Sequence, residues 1–228
     1  MGDSPVEAVV FDVNETMFAL DGLCPTFADL DLDPELIPLW FATVLRDGFA
    51  LTALGRFQPF PAVAAEALRA LDERVDDAAV AAVLAAFRTL DAYADVEPAL
   101  RILREAGIPA ATLSNGTADV VQGLLSRAGL AGYVTRNLSV DAVRRWKPAA
   151  EPYRYAAAEL GVDVHRLALV AVHPWDCAGA AAAGLRTGWV RRTPAHWPAV
   201  FDVPHVSGAT LAAVVGALLT DQRPARGV

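Results

Sequence analysis

The stretch Val9-Val10-Phe11-Asp12-Val13-Asn14-Glu15-Thr16-Met17 constrains this chain more than any other. Three bulky apolar residues run directly into an acid, after which the chain turns polar. That pattern predicts a buried strand ending in a loop that presents Asp12. In an open α/β sheet, ligands gather at such strand ends. A lone acid there equally suits a helix cap or a turn, so this stretch alone leaves both roles open.

The segments that follow supply the rest of such a sheet. Asp33-Pro34-Glu35 predicts a helix start running towards Leu54, with Gly55 as its stop. Pro61 opens a second helix and Asp76-Asp77 a third through Phe87, enough for a small helical bundle. From Asp95 the pattern alternates. Glu97-Pro98 starts a helix ending near Gly107, Ile108 to Leu113 is a strand, and Ser114-Asn115-Gly116-Thr117 breaks it before a helix to Leu125. A helix from Pro152 to Leu160 and a strand from Leu167 to Val172 come next, then a polar break at His173-Pro174-Trp175-Asp176. An alanine-rich helix closing at Gly184, short strands at Gly188-Trp189-Val190 and His205-Val206, and a helix near Leu211 to Leu219 complete the chain. The alternation predicts an α/β fold, a doubly wound and mostly parallel sheet with an inserted α-helical cap. The expected division is a core of residues 1–16 and 93–228 and a cap of residues 17–92.

With 228 residues the chain suits one core plus an insertion better than two full domains. A net charge of -8 argues against nucleic acid as a partner, because phosphate binding wants a basic face. Arg144-Arg145 with Lys147, and Arg191-Arg192, are too few to reverse that. The longest uninterrupted apolar runs, Ala78 to Phe87 and Leu211 to Leu219, fall well short of the roughly 20 residues a bilayer crossing needs. No membrane span is expected. Met1-Gly2-Asp3-Ser4-Pro5 lacks the basic and apolar blocks of a secretory leader, and the two cysteines, Cys24 and Cys177, suit a reducing cytoplasm.

Parallel strands would bring Asp12, Ser114 with Asn115, and His173 with Asp176 to one edge of the sheet, where Lys147 could join them. Singly, each has an ordinary role: Ser114, Asn115 and Asp176 as caps or turn formers, Lys147 as a solvated cation, His173 as a hydrogen-bonded loop residue. Their joint placement favours a crevice.

These clusters resemble the ordered motifs of the haloacid dehalogenase superfamily, and within it the type II L-2-haloacid dehalogenases. Asp12 with Thr16 matches the first motif, Leu113-Ser114-Asn115-Gly116 the second, Lys147-Pro148 with Tyr153 the third, and Trp175-Asp176 with Gly179-Ala180 the fourth. The resemblance implies a hydrolase in which Asp12 is a nucleophile that forms an ester with substrate carbon. It makes Lys147 the cation that keeps Asp12 and Asp176 ionised, and Thr16 and Ser114 the groups that orient Asp12. Asp176 would orient the hydrolytic water or accept its proton, with His173 a further group for proton transfer. Asn14, Asn115, Tyr153, His173, Phe41, Arg46 and Trp175 would meet a small-molecule substrate, with neither metal nor cofactor. A homodimer enters only through the resemblance.

The match has departures that bear on the substrate. Phosphatases of the superfamily carry a second acid where this chain has Asn14, and a magnesium-binding acid where it has Val172. A magnesium-dependent phosphatase is therefore the second expectation, and a non-catalytic binding protein the third. Dehalogenases of the branch carry Tyr at the Asn14 position and a Ser-x-Asn pair at Ala171 and His173. They also carry an Arg that contacts halide and substrate carboxylate where this chain has Phe41. Arg46 lies about 140° further round the same helix, so it is no simple replacement. Phe41, Phe49, Trp146 and Trp175 suit an apolar pocket for a larger or less charged substrate.

Overall fold

Strand β1 (Ala8–Phe11) is buried along its whole length. Successive side chains of a strand face opposite ways. Val9 and Phe11 accordingly join one apolar cluster, and Ala8 and Val10 join another on the far face. The computed structural model describes residues 5–192 and 196–220. The leader expectation at Met1 to Ser4 and the outermost ends of the expected core lie outside the described residues.

Around β1 the chain builds a six-stranded sheet in the order β3-β2-β1-β4-β5-β6. The other strands are β2 (Ala110–Ser114), β3 (Val134–Ser139), β4 (Leu167–Ala171), β5 (Arg186–Val190) and β6 (Val206–Gly208). Every pairing between them is parallel. One face carries α5 (Val96–Glu105), α6 (Ala118–Arg127) and α9 (Leu211–Thr220), and the other α7 (Ala150–Leu160) and α8 (Pro174–Ala182). This is the expected doubly wound α/β architecture. The chain leaves β1 towards β2 on one side and β4 on the other, which opens a crevice at the carboxyl end of β1.

Between β1 and β2 lie α1 (Cys24–Asp29), α2 (Ile37–Ala53), α3 (Phe60–Arg69) and α4 (Asp77–Ala86). Their ends follow the capping chemistry in the sequence. The Asp33 carboxylate accepts from Glu35 N at 2.9 Å and that of Asp76 from Ala79 N at 2.8 Å, satisfying amides that have no partner at a helix start. Gly55 follows α2 at φ +69°, a left-handed stop that side chains disfavour.

Two elements differ from the sequence expectation. Strand β3 was not expected, because its Thr135 and Arg136 are exposed and only Leu138 and Ser139 are buried, so apolar alternation is missing. Helix α1 lies where the sequence gives no helix signal before Asp33; its Pro25 sits in the first turn, where the missing N–H costs nothing. One helix is longer and more apolar than the uninterrupted runs suggest. Pro34–Ala53 is long and apolar enough to cross a bilayer by length and composition, and a scan for uninterrupted runs passes over it because Arg46-Asp47 intervenes. In the fold, Ile37, Trp40, Phe41, Val44 and Gly48 of this helix are buried in protein.

Gly48 is where α2 meets the segment carrying Lys147. A Cβ at this position would lie 2.3 Å from Trp146 Cε3, inside a ring that is itself fully buried. The indole is further fixed by Nε1 donating to Gln58 O at 2.9 Å. Alanine gains about 1 kcal/mol over glycine in helix propensity, whereas overpacking a core costs about 1–3 kcal/mol. Gly48→Ala is expected to lower unfolding free energy by up to about 2 kcal/mol in urea titration. A more stable variant would contradict the close contact.

Candidate active site

Asp12 follows β1 directly, and its backbone N–H continues the ladder by donating to Val170 O at 3.0 Å. This fixes its side chain over the carboxyl end of the sheet. Lys147 Nζ donates to Asp12 Oδ1 at 2.8 Å, to Asp176 Oδ2 at 2.6 Å and to Leu113 O at 2.9 Å. All three protons of the ammonium are thus committed. Lys147 and Asp176 are fully buried, and Asp12 is 5% exposed.

The second Asp12 oxygen, Oδ2, accepts from Thr16 Oγ1 at 2.7 Å and pairs with His173 Nδ1 at 3.0 Å. Thr16 is itself positioned by accepting from Val172 N at 3.0 Å. Asp176 is held on both oxygens, since Tyr153 OH donates to Oδ1 at 2.6 Å while Lys147 holds Oδ2. Asn115 Oδ1 accepts from Lys147 N at 2.9 Å and so fixes the lysine backbone, while Asn115 Nδ2 is buried with no protein partner. Ser114 Oγ accepts from Gly116 N at 2.8 Å.

Electrostatics follow from this geometry. Burial pushes the Asp12 carboxyl up, but Lys147 and His173 outweigh it and hold the group well below the usual carboxylate range. For Lys147 burial works against the charge, and Asp12 with Asp176 more than restores it, so the ammonium persists. Burial, with the charge of Asp12 beside it, pushes Asp176 up. The His173 ring is disfavoured as a cation by burial, yet its contacts to Asp12 and Glu15 raise it to about 9. Asp12 is therefore an ionised carboxylate beside two cations.

The aromatic residues divide. The Trp175 ring lies 5.1 Å and the Phe41 ring 6.3 Å from His173, with Phe49 4.9 Å from Trp175, so these three wall the His173 side of the site. Trp146 instead packs on Phe60 in the core, with ring centroids 6.1 Å apart. Arg46 is not brought to the cluster: its side chain is 70% exposed and paired with Asp47 at 2.8 Å. On the other side, Asn14 and Ser114 line a hollow of about 400 Å³ with Val13, Phe60, Phe87 and Val121. Asp12 borders this hollow through its neighbours Val13 and Asn14 rather than by its own side chain.

Glu15 and Arg192 escaped the sequence reading. Glu15 Oε2 lies 2.8 Å from His173 Nε2, and its backbone sits at φ +60°, a left-handed conformation uncommon for a side chain of this kind. Arg192 Nε reaches Glu15 O and Thr16 O, each at 3.2 Å, and its guanidinium stacks 3.7 Å from the Tyr93 ring centroid and pairs with Asp95. The only signal was the place of Glu15 between Asn14 and Thr16.

The raised His173 value carries a stability consequence. A group held protonated up to about pH 9 in the fold but only to 6.5 when unfolded contributes fully below 6.5, and that contribution vanishes as pH climbs through 9. The difference is on the order of 3 kcal/mol. Unfolding free energy of the wild type is expected to fall across this window, and the fall to disappear in His173→Asn. Parallel pH profiles of the two would contradict the assignment.

Comparisons with known proteins bear on the family and the fold. Residues 6–184 match the family model of the haloacid dehalogenase-like hydrolases. (S)-2-haloacid dehalogenase 1 of Pseudomonas sp. strain CBS-3 is 30% identical over 197 residues, covering 82% of this chain and 86% of that protein. The (S)-2-haloacid dehalogenase of Pseudomonas sp. strain YL is 29% identical, covering 92% of this chain and 93% of its own. The L-2-haloacid dehalogenase of Xanthobacter autotrophicus, solved with chloropropionic acid covalently bound, superposes with a TM-score of 0.87 over 93% of this chain and 98% of that one. At 23% identity that likeness speaks for the fold. A family model that spans most of the chain and a matching fold thus converge: the chain belongs to the haloacid dehalogenase-like hydrolases.

Proposed function

We propose that this chain hydrolyses the carbon–halogen bond of a 2-haloacid through an ester on Asp12. The observation that carries the proposal is a buried carboxylate kept ionised by Lys147 and His173 at the mouth of the sheet. Such a group is a nucleophile with its proton already gone. Its oxygen attacks the carbon bearing the halogen, the carbon–halogen bond breaks, and the electron pair leaves with the halide. Water then adds to the ester carbonyl, and collapse releases the hydroxy acid and regenerates Asp12. Lys147, committed to Asp12, Asp176 and Leu113 O, neutralises the paired carboxylates and stabilises charge that develops at the ester.

The remaining site residues take supporting roles. Thr16 orients Asp12, and Tyr153 holds Asp176. The free Asn115 Nδ2, beside Ser114, is a buried donor suited to a substrate carboxylate. The helices between Met17 and Ala92 act as a cap over the crevice. Substrate size is read from two features: Phe41 in place of a guanidinium, and a largely apolar hollow of about 400 Å³ next to Asn14 and Ser114. Both favour a 2-haloacid with an apolar tail over the two- and three-carbon acids. The phosphatase alternative is the poorer fit, since Asn14 stands where its proton-transfer acid would be, Val172 stands where a magnesium-binding acid would be, and no group of three metal-binding side chains occurs among the described residues. Free cysteines and an acidic surface fit a soluble cytoplasmic enzyme that does not bind nucleic acid, with a homodimer as its assembly.

A panel of 2-haloacids of increasing chain length, with a phosphate monoester with and without magnesium, tests the proposal by halide and phosphate release. Halide release is expected, with kcat/KM rising about tenfold or more from 2-chloropropionate to longer homologues. Asp12→Asn should lose at least about a thousandfold. Best turnover on 2-chloropropionate would contradict the size assignment. Magnesium-dependent phosphate release would contradict the chemistry at carbon.

A further inference from the structure

Asp176, the acid expected to handle the hydrolytic water, is poorly placed to take a proton. Both its oxygens accept short hydrogen bonds, from Tyr153 OH and Lys147 Nζ, each at 2.6 Å, and its side chain has no exposure. His173 differs in being partly open to solvent and in facing Asp12 directly. Its side chain is 13% exposed, Nδ1 lies 3.0 Å from Asp12 Oδ2, and Nε2 lies 2.8 Å from Glu15 Oε2. Glu15 reaches that nitrogen through a backbone held at φ +60°, with Arg192 bonded to its carbonyl. A strained position clamped from outside and aimed at the partner of a nucleophile points to a working role.

We propose that Glu15 and His173 form a proton relay in which His173 takes the proton of the water that opens the Asp12 ester. This rests on the ester chemistry proposed above. In the free enzyme the ring is charged, donating to Asp12 through Nδ1 and to Glu15 through Nε2. The charged groups around it are Asp12 and Glu15 in contact, Lys147 and Asp176 beyond Asp12, and Arg192 behind Glu15; Phe41 and Trp175 are its apolar neighbours. Ester formation converts Asp12 from an anion to a neutral group. The strongest support for the ring proton disappears, burial remains, and the imidazolium releases its proton to solvent. That is the single proton the overall hydrolysis must release.

The neutral ring then accepts one proton from the attacking water as the oxygen bonds to Cγ of Asp12. Collapse breaks the bond between Cγ and the substrate oxygen. The second proton of the water passes to the departing alkoxide, leaving Asp12 ionised and His173 charged as before. His173 is thus the catalytic base, and Glu15 a positioning residue that holds the ring and sets its basicity.

The test uses 2-bromohexanoate with wild type, His173→Asn, His173→Gln and Glu15→Gln, following halide release, intact protein mass and the pH dependence of ester breakdown. Both His173 variants are expected to release one halide per enzyme in a burst. Ester breakdown should then slow at least about a hundredfold, with the protein retaining the added acid on Asp12. Glu15→Gln should keep turning over, but with the rising limb of ester breakdown moved to lower pH by about one unit, a shift that loss of structure alone would not produce. Clearance of the ester at the wild-type rate in either His173 variant would overturn the relay, as would an unmoved limb in Glu15→Gln. Absence of both ester and halide in the wild type would instead bring down the dehalogenation chemistry itself.

Discussion

Lys147 is taken entirely out of water with its ammonium 2.8 Å from one carboxylate and 2.6 Å from another. Desolvating three such charges costs several kcal/mol for each, and close pairing with complete hydrogen bonding is what offsets it. The site supplies that pairing in full. The third lysine proton goes to Leu113 O, both oxygens of Asp176 are engaged, and both of Asp12 are met. A buried arrangement of this kind adds little net stability over an apolar core, so its presence is better explained by chemistry than by folding. Its effect is to present one carboxylate that stays ionised in a nearly dry crevice.

The fold makes that geometry possible at low cost. A parallel sheet sends consecutive strand ends to the same edge, and the divergence of β2 and β4 on either side of β1 leaves a gap over Asp12. Into this gap come Asn115 from the end of β2, His173 from the turn after β4, Asp176 from the first turn of α8, and Lys147 from the segment before α7. The lysine is fixed from two sides. Its own N–H is held by Asn115, and the preceding Trp146 is locked against Gly48, Phe60 and Gln58 O. Packing between the early helices and the sheet is thereby tied to the position of the ammonium.

Much of this was legible in the chain itself. β-Branched runs ending in Asp12 and His173 marked the buried strands, and Asp33, Asp76 and Gly55 marked helix ends, because strand burial and capping act locally. The site was legible where strand ends bring residues together, as for Asp12, Asn115 and Asp176, whereas Lys147 lies on no strand and its role came from the family resemblance. What escaped depends on three-dimensional context. The edge strand Val134–Ser139 carries no apolar alternation because the consecutive Thr135 and Arg136, which point to opposite faces, are both exposed at the rim of the sheet. Glu15 enters the site only through an unusual backbone angle, and Arg192 only through a clamp that bridges 177 positions of sequence. Arg46 looked close to the site in sequence, but helix geometry turns it to the surface.

The central claim is that a carboxylate oxygen of Asp12 becomes the oxygen of the product. Mass spectrometry after a single turnover in heavy-oxygen water, with enzyme in excess over haloacid, tests it most directly. The account predicts a hydroxy acid carrying ordinary oxygen and a heavy atom incorporated into the Asp12 carboxylate. Heavy oxygen in the product of that first turnover, with Asp12 unlabelled, would mean that water attacks the substrate directly and that Asp12 is not the nucleophile.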